Sequence, residues 1–368
     1  MTNTFATKPA TSGNRVFVGL SGGVDSAVSA HLLKEEGFAV VGVFIRSWQP
    51  DFIPCTLEDD RREAMRVAAY LEIPFLECDL AEAYKRDVVD RMLEGYSQGE
   101  TPNPDVLCNR DIKFGAFAEW AFANGADYIA TGHYARRAIG LDGTPALFEG
   151  VDTSKDQTYF LWMVDSALYP RMLFPVGHLK KSDVRTIAEG AGLPNATRKD
   201  SQGVCFLGNI NMKDFLTHYM PPRPGAVVDT TGAVLGTHDG VHLYTLGERH
   251  GLHIPAKSPE MAPYYVVRKE PETNVLTVDF HPRSSNPHPT YLLREVRWHT
   301  VPTGDSVTAR VRHRGKKICV TVDNTPERTT VTFMEPALVA EGQSVVFYIG
   351  EQLIGGGIVT GSVSEKEV

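Results

Sequence analysis

Eight consecutive residues, Gly19-Leu20-Ser21-Gly22-Gly23-Val24-Asp25-Ser26, combine bare backbone, two hydroxyls and a carboxylate. The apolar run 16–18 before them reads as a buried strand, and the apolar spacing over 27–33, stopping at Gly37, reads as a helix. Strand, glycine turn and helix start together aim unpaired N–H groups and the positive end of a helix dipole at an anion. Gly22 and Gly23 leave room for phosphate oxygens where a Cβ would intrude. Ser21 and Ser26 add hydroxyl donors, and Asp25 suits a magnesium ion carried on phosphate. The Lys-Ser/Thr pair of a Walker loop is missing. The plainer alternative is an ordinary tight turn before a helix.

Thr101-Pro102-Asn103-Pro104-Asp105-Val106-Leu107-Cys108-Asn109 is the second informative stretch. Two prolines stiffen a loop, and Asp105 stands three residues before Cys108. A helix capped by Asn109 or Asp111 would hold Cys108 near its positive end and favour the thiolate. Asp105 could then shuttle a proton to or from a substrate. Cys205 lies in the run 198–206, where Gly203 suggests a tight turn and Arg198 and Lys199 could lower a thiol pKa. The plain readings are a connector cysteine at 108 and a small buried hydrophobe at 205. Cys78 and Cys319 lie in apolar runs and read as core, while Cys55 follows Pro54 in a loop. His133 follows a strand at 128–130 and faces the crevice mouth, unless it is structural. Residues 154–157, Ser-Lys-Asp-Gln, are a polar loop whose simplest role is a helix cap. Arg310, Arg312, His313, Arg314, Lys316 and Lys317 make the densest basic run. On a strand its three arginines share one face, to track phosphates or to guard a barrel edge.

These residues need a scaffold that gathers distant stretches. Residues 38–45 form a second continuous apolar strand, as in a parallel sheet covered on both faces. Further on, 57–72, 80–96 and 111–124 read as helices, with 75–78 and 128–130 as strands. This alternation over 15–135 predicts a doubly wound α/β domain. Its ligand belongs at the carboxyl ends of the strands, where Ser21, Ile45 and Gly132 fall. From 210 onward come short β runs, with Thr231-Gly232 and Asp239-Gly240 as hairpin tips. A breaker-rich linker at 282–289 precedes about five strands, enough for a small barrel. The expected division is a flexible tail at 1–14, a catalytic α/β domain at 15–208, a central β-rich domain at 209–288 and a C-terminal β-barrel at 289–363.

Composition narrows the function. The 368 residues carry a net charge of −8 and are 42% hydrophobic, which excludes global disorder. No apolar run approaches the roughly 20 residues of a membrane span. The N-terminal stretch lacks a secretory core, so a cytoplasmic location is expected. Five cysteines without a C-x-x-C pair argue against a zinc ribbon or a disulfide scaffold and fit a reducing compartment. An acidic chain can still hold RNA through a local basic patch.

SGGVDS resembles the pyrophosphate loop of enzymes that split ATP into AMP and pyrophosphate while adenylating a carbonyl oxygen. With TPNPDVLCN, TGHYAR, SKDQTYFL, KDSQGVCFLG, YTLGERHGL and GQSVVFYIGE in this order, nearly the whole chain resembles the tRNA-specific 2-thiouridylases. The resemblance implies a pyrophosphatase-like α/β domain, a small central β domain and a C-terminal barrel. It implies ATP and Mg2+ as cofactors, with nucleotide contacts at Gly19 to Ser26, Ile45 and Gly132. The wobble uridine of tRNA would be adenylated at its C2 oxygen, flipped from the anticodon stack into a pocket. Cys205 matches the persulfide carrier, loaded by a sulfur-relay protein or cysteine desulfurase. Cys108 matches the nucleophile that releases sulfide or forms a Cys108–Cys205 disulfide, and Asp105 matches the general acid/base. Asn103, Pro104 and Asp105 match positions touching the target base. His133, Lys155, Asp156, Gln157, Arg312, His313 and Gln343 match positions facing tRNA. No resident metal site and no membrane partner are implied, and a monomer is expected. Glu248 and His250 depart from the Gln and Lys expected in YTLGERHGL. The rivals are another adenylating enzyme, such as a tRNA cytidine thiolase or an ammonia-using synthetase, and a catalytically idle RNA-binding module.

Overall fold

The computed structural model describes residues 14–52, 57–199, 211–255, 262–281, 284, 286–302 and 307–363. Cys55 and Cys205, with the KDSQGVCFLG stretch from residue 200 on, lie outside the described residues.

Val- and Ile-rich runs make the first sheet. Its strands are β1 (Arg15–Gly19), β2 (Ala39–Arg46), β3 (Phe75–Asp79) and β4 (Tyr128–Ala130). Two further strands, β5 (Ala135–Ile139) and β6 (Pro145–Glu149), form a hairpin before β7 (Met172–Leu173). The sheet order is β3-β2-β1-β4-β7, and every pairing is parallel. From β1 the chain winds one way to β2 and β3, then returns to place β4 on the other side. The switch point therefore lies between β1 and β4, where a doubly wound sheet opens its ligand crevice. Helix α1 (Val24–Glu35) starts at the carboxyl end of β1, and α2 (Leu57–Tyr70) follows β2. One apolar layer, including Val16, Val18, Val28 and Leu33, is packed with α1 and α2; the other includes Phe17, Phe117, Ile129 and Trp162.

The helix expected at 111–124 starts seven residues earlier, at Pro104, and runs to Ala123. The cap is Asn103, whose Oδ1 accepts from the N–H groups of Asp105 (3.1 Å) and Val106 (3.3 Å), with Pro104 in the first turn. Neither Asn109 nor Asp111 caps it. Between Cys108 and Ala116 the winding loosens to a π-helix, so i→i+5 closure replaces i→i+4.

The central strands β8 (Gly225–Val228), β9 (Val234–His238), β10 (Tyr265–Glu270) and β11 (Val275–Asp279) form a sheet in the order β10-β11-β8-β9. Gly232, at φ 90°, turns the β8–β9 hairpin as expected. Asp239-Gly240 is not a hairpin tip. Lys213 (2.7 Å) and His253 (2.8 Å) hold the Asp239 carboxylate, and the chain passes into a 3-10 turn at Val241–Leu243.

The last strands are β12 (Thr290–Trp298), β13 (Val307–Arg310), β14 (Ile318–Asn324), β15 (Thr329–Phe333), β16 (Ser344–Ile349) and β17 (Gln352–Val363). They run β12-β15-β14-β13-β16-β17, and β12–β17 pairing closes them. The barrel has six strands rather than about five: the addition is β12 itself, which lies before the five expected runs and closes them against β17. The β5–β6 hairpin joins it edge-on through Phe148 and Gln352. Cys78 is core as expected, but Cys319 is exposed, because the alternation of β14 turns Val320 inward and Cys319 out. Among the described residues no helix is long and apolar enough to cross a membrane.

Candidate active site

The glycine loop leaves β1 at Gly19, turns at Gly22 (φ 75°) and enters α1 through Gly23, which is extended. Ser26 closes the turn: its Oγ accepts from Ser21 N–H at 3.2 Å and donates to Gly23 O at 3.0 Å. A Cβ on Gly22 would sit 2.7 Å from the Arg198 guanidinium and from the Asp60 carbonyl. One on Gly132 would meet the backbone of Ser26 and Asp25 at 2.7 and 2.8 Å, so β4's exit and the start of α1 touch. Gly19 faces the Ile45 side chain. Ser21, Ile45 and Gly132 thus converge at the switch point, as their strand-end positions imply. A bare-backbone cradle of this kind fits phosphate. Asp25 is engaged: its Oδ1 accepts from Tyr134 Oη at 2.9 Å and Lys181 Nζ at 2.6 Å.

Asp105 and Cys108 lie on the first turns of the helix that Asn103 caps, and Asn109 Nδ2 donates back to Asp105 O at 2.9 Å. Cys108 is buried and five residues past the cap, beyond the first turn where the dipole acts strongly. Burial raises the Asp105 carboxyl above the ordinary aspartate value, and the Lys113 charge pulls it partly back. The same Lys113 charge acts on His133, which burial holds neutral, well below the usual histidine value. His133 receives or gives one hydrogen bond, Nδ1 with Thr131 Oγ1 at 2.7 Å, and its ring lies among Phe114 and Phe174. Lys113 therefore links the Asp105–Cys108 turn to the strand end that carries Gly132. Nothing in the spacing of the chain singles out Lys113 for this place beside Asp105 and His133. Lys181 and Asn195 were likewise invisible, being isolated polar residues with no motif.

Three family models match the chain in succession: the tRNA methyl transferase HUP domain over 14–209, the tRNA methyl transferase PRC-barrel domain over 213–279, and the aminomethyltransferase beta-barrel domain over 290–359. A tRNA-specific 2-thiouridylase of Lactiplantibacillus plantarum is 43% identical over 97% of this chain and 98% of its own. One of Enterococcus faecalis is 41% identical over 96% and 97%. The chain belongs to the tRNA-specific 2-thiouridylase family. That family is one of tRNA sulfurtransferases.

The remaining positions that the thiouridylase resemblance singled out are spread over the joint between first domain and barrel. Gln343 Nε2 donates to Thr101 O at 2.6 Å, tying the barrel to the loop before Asn103. Gln157 pairs with Tyr134, accepting its N–H at Oε1 (3.0 Å). Asp156 is 2% exposed: it accepts from Gly150 N–H and Thr158 and forms an ion pair with Arg310 at 2.7 Å. It serves as an internal cap and counter-ion, so its carboxylate is turned away from solvent. Lys155 beside it is half-buried. The expected arginine stripe does not form. β13 ends at Arg310, Arg314 takes φ 58°, and only Arg312 and Arg314 are exposed. Arg310 is instead largely covered, its side chain 11% exposed and paired with Glu149 and Asp156, so these arginines neither share a strand face nor guard an edge. His313 packs against Phe160, with ring centroids 4.5 Å apart and planes tilted by 31°. Glu248, one of the two departures, accepts from Thr245 N–H at 2.9 Å and closes its own turn.

Proposed function

We propose that the protein thiolates C2 of the wobble uridine of tRNA, using ATP for activation and a cysteine persulfide for sulfur. The relationship along 97% of the chain carries this reading. The glycine cradle at 19–26 and the Asp105–Cys108 turn support it. ATP is bound at Gly19–Ser26, Ile45 and Gly132, and the uridine O2 attacks the α-phosphorus as pyrophosphate leaves. Mg2+ carried on the phosphates would supply charge neutralisation there. Asn103, Pro104 and Asp105 flank the flipped base. His133, Lys155, Gln157, Arg312, His313 and Gln343 line the approach of tRNA, with Asp156 holding that loop in shape. Asp105, whose carboxyl burial raises above the ordinary aspartate value against the pull of Lys113, gives or takes the proton at the uridine.

Sulfur comes from a persulfide on Cys205, delivered by a relay protein or desulfurase. Cys108 thiolate attacks that persulfide and forms a Cys108–Cys205 disulfide while hydrosulfide leaves. The hydrosulfide adds at C2, the C2–O bond breaks, and AMP departs with the oxygen. A thiol reductant then reduces the disulfide, is itself oxidised, and restores both thiols. The protein works as a monomer in the cytoplasm. The test is thiolation of a uridine tRNA, read as retardation on a mercury gel. Cys108→Ser and Cys205→Ser should each abolish it while ATP binding persists; full activity in either variant rejects the two-thiol route.

A further inference from the structure

The glycine loop lacks the lysine with which a Walker loop meets phosphate. Two cations reach it from far along the chain. Lys181, the first residue of the helix Lys181–Gly190, places Nζ 2.6 Å from Asp25 Oδ1 and is 14% exposed. Arg198 donates from its guanidinium to Gly22 O at 3.1 Å and forms an ion pair with Asp60 of α2. Both therefore touch residues of the turn that faces the switch-point crevice.

The Arg198 contact is not a staple that the fold depends on. Gly22 O is already satisfied by Asn195 Nδ2 at 2.8 Å, so the Arg198 bond to it is redundant. Asp60 is 33% exposed, and an ion pair at that depth is weak. The backbone under Arg198 is held separately, because Arg185 donates to the carbonyls of Ala196 (2.8 Å) and Arg198 (2.6 Å). The guanidinium is thus pre-positioned at its root and loosely committed at its tip. Lys181 is similarly fixed at the base: its own N–H donates to Asp152 at 2.9 Å. A nucleotide adds several negative charges to a loop whose own charged side chain, Asp25, is an anion.

We propose that Lys181 and Arg198 form a two-cation clamp on the pyrophosphate portion of ATP, in place of the loop lysine. The clamp rests on the nucleotide reading above. It holds the phosphates that leave, and Arg198 can engage two oxygens at once through its planar fork. On adenylation the same two charges stabilise the departing pyrophosphate.

The experiment compares ATP, inorganic pyrophosphate and AMP binding by calorimetry for the full chain and for Lys181→Met and Arg198→Met. Each variant should bind ATP and pyrophosphate at least tenfold more weakly and AMP within twofold of the wild type. Arg198→Lys should recover part of the loss. AMP binding also reports that the crevice is folded, and Lys181→Gln, which keeps a donor to Asp25, guards against collapse of the loop in Lys181→Met. Either Met variant binding ATP and pyrophosphate within twofold of the wild type overturns the clamp, as does an equal loss for ATP and AMP. A wild-type protein that binds none of the three ligands would reject the nucleotide reading itself, a distinguishable failure.

Discussion

Asp105 is governed by two opposed effects. Burial disfavours its carboxylate, and the Lys113 ammonium favours it. Removing Lys113 leaves burial alone, so the folded pKa must rise further. Lys113→Met should therefore move the pH limb that belongs to Asp105 toward higher pH, whether the carboxyl works as acid or base. Single-turnover thiolation measured across pH, with Asp105→Asn identifying the limb, checks this. A shift toward lower pH would show that Lys113 does not set the charge state. Cys78 offers a contrast within the same fold. Burial and Asp79 push its thiol up to about 11, so it stays protonated and inert.

At the scale of elements, the site depends on how close β4 comes to the start of α1. Gly132 allows that approach, since any Cβ there would lie within 3 Å of the Ser26 amide. Gly132→Ala should push the α1 terminus off the crevice and weaken ATP binding about tenfold or more. The measurement is nucleotide affinity alongside far-ultraviolet circular dichroism; unchanged affinity would detach Gly132 from the crevice. The parallel strands and the loop were legible because continuous apolar runs and a glycine turn are local signals. The onset of the 104–123 helix was not. Its cap, Asn103, sits between two prolines that read as loop, and Pro104 is tolerated only because the first helical turn needs no N–H. The arginine stripe misled for a different reason. Alternation assumes that the strand continues, and it ends at Arg310, whose charge is matched across a domain joint by Glu149 and Asp156. Such long-range pairing leaves no local trace.

At the scale of the molecule, the barrel is held against the first domain by a joint that mixes apolar and polar contacts. Trp162 is fully buried, and Gly356 of β17 lies so close that a Cβ would meet the indole at 2.6 Å. Gly356→Val should overpack this joint and destabilise it by about 1–3 kcal/mol, read in chemical denaturation. Two histidines complete the seam. His299 donates from Nε2 to Trp162 O at 2.8 Å, and His313 lies beside Phe160. Burial lowers both to about 4 from the usual 6.5; Arg297 and Asp165 act on the first, and Arg314, Asp156 and Arg310 on the second. Each is neutral in the folded seam yet takes up a proton near pH 6.5 once released. Between those values the unfolded state binds more protons, so folding stability falls as pH drops. The seam's contribution is complete above pH 6.5 and is lost progressively down to about pH 4. His133, also held neutral by burial, adds to the same trend from inside the first domain. The seam is separated from it by substitution: His299→Gln and His313→Gln should each flatten the fall in melting temperature between pH 6.5 and 4. Identical melting profiles for wild type and both variants would mean that protonation of these rings does not govern the joint.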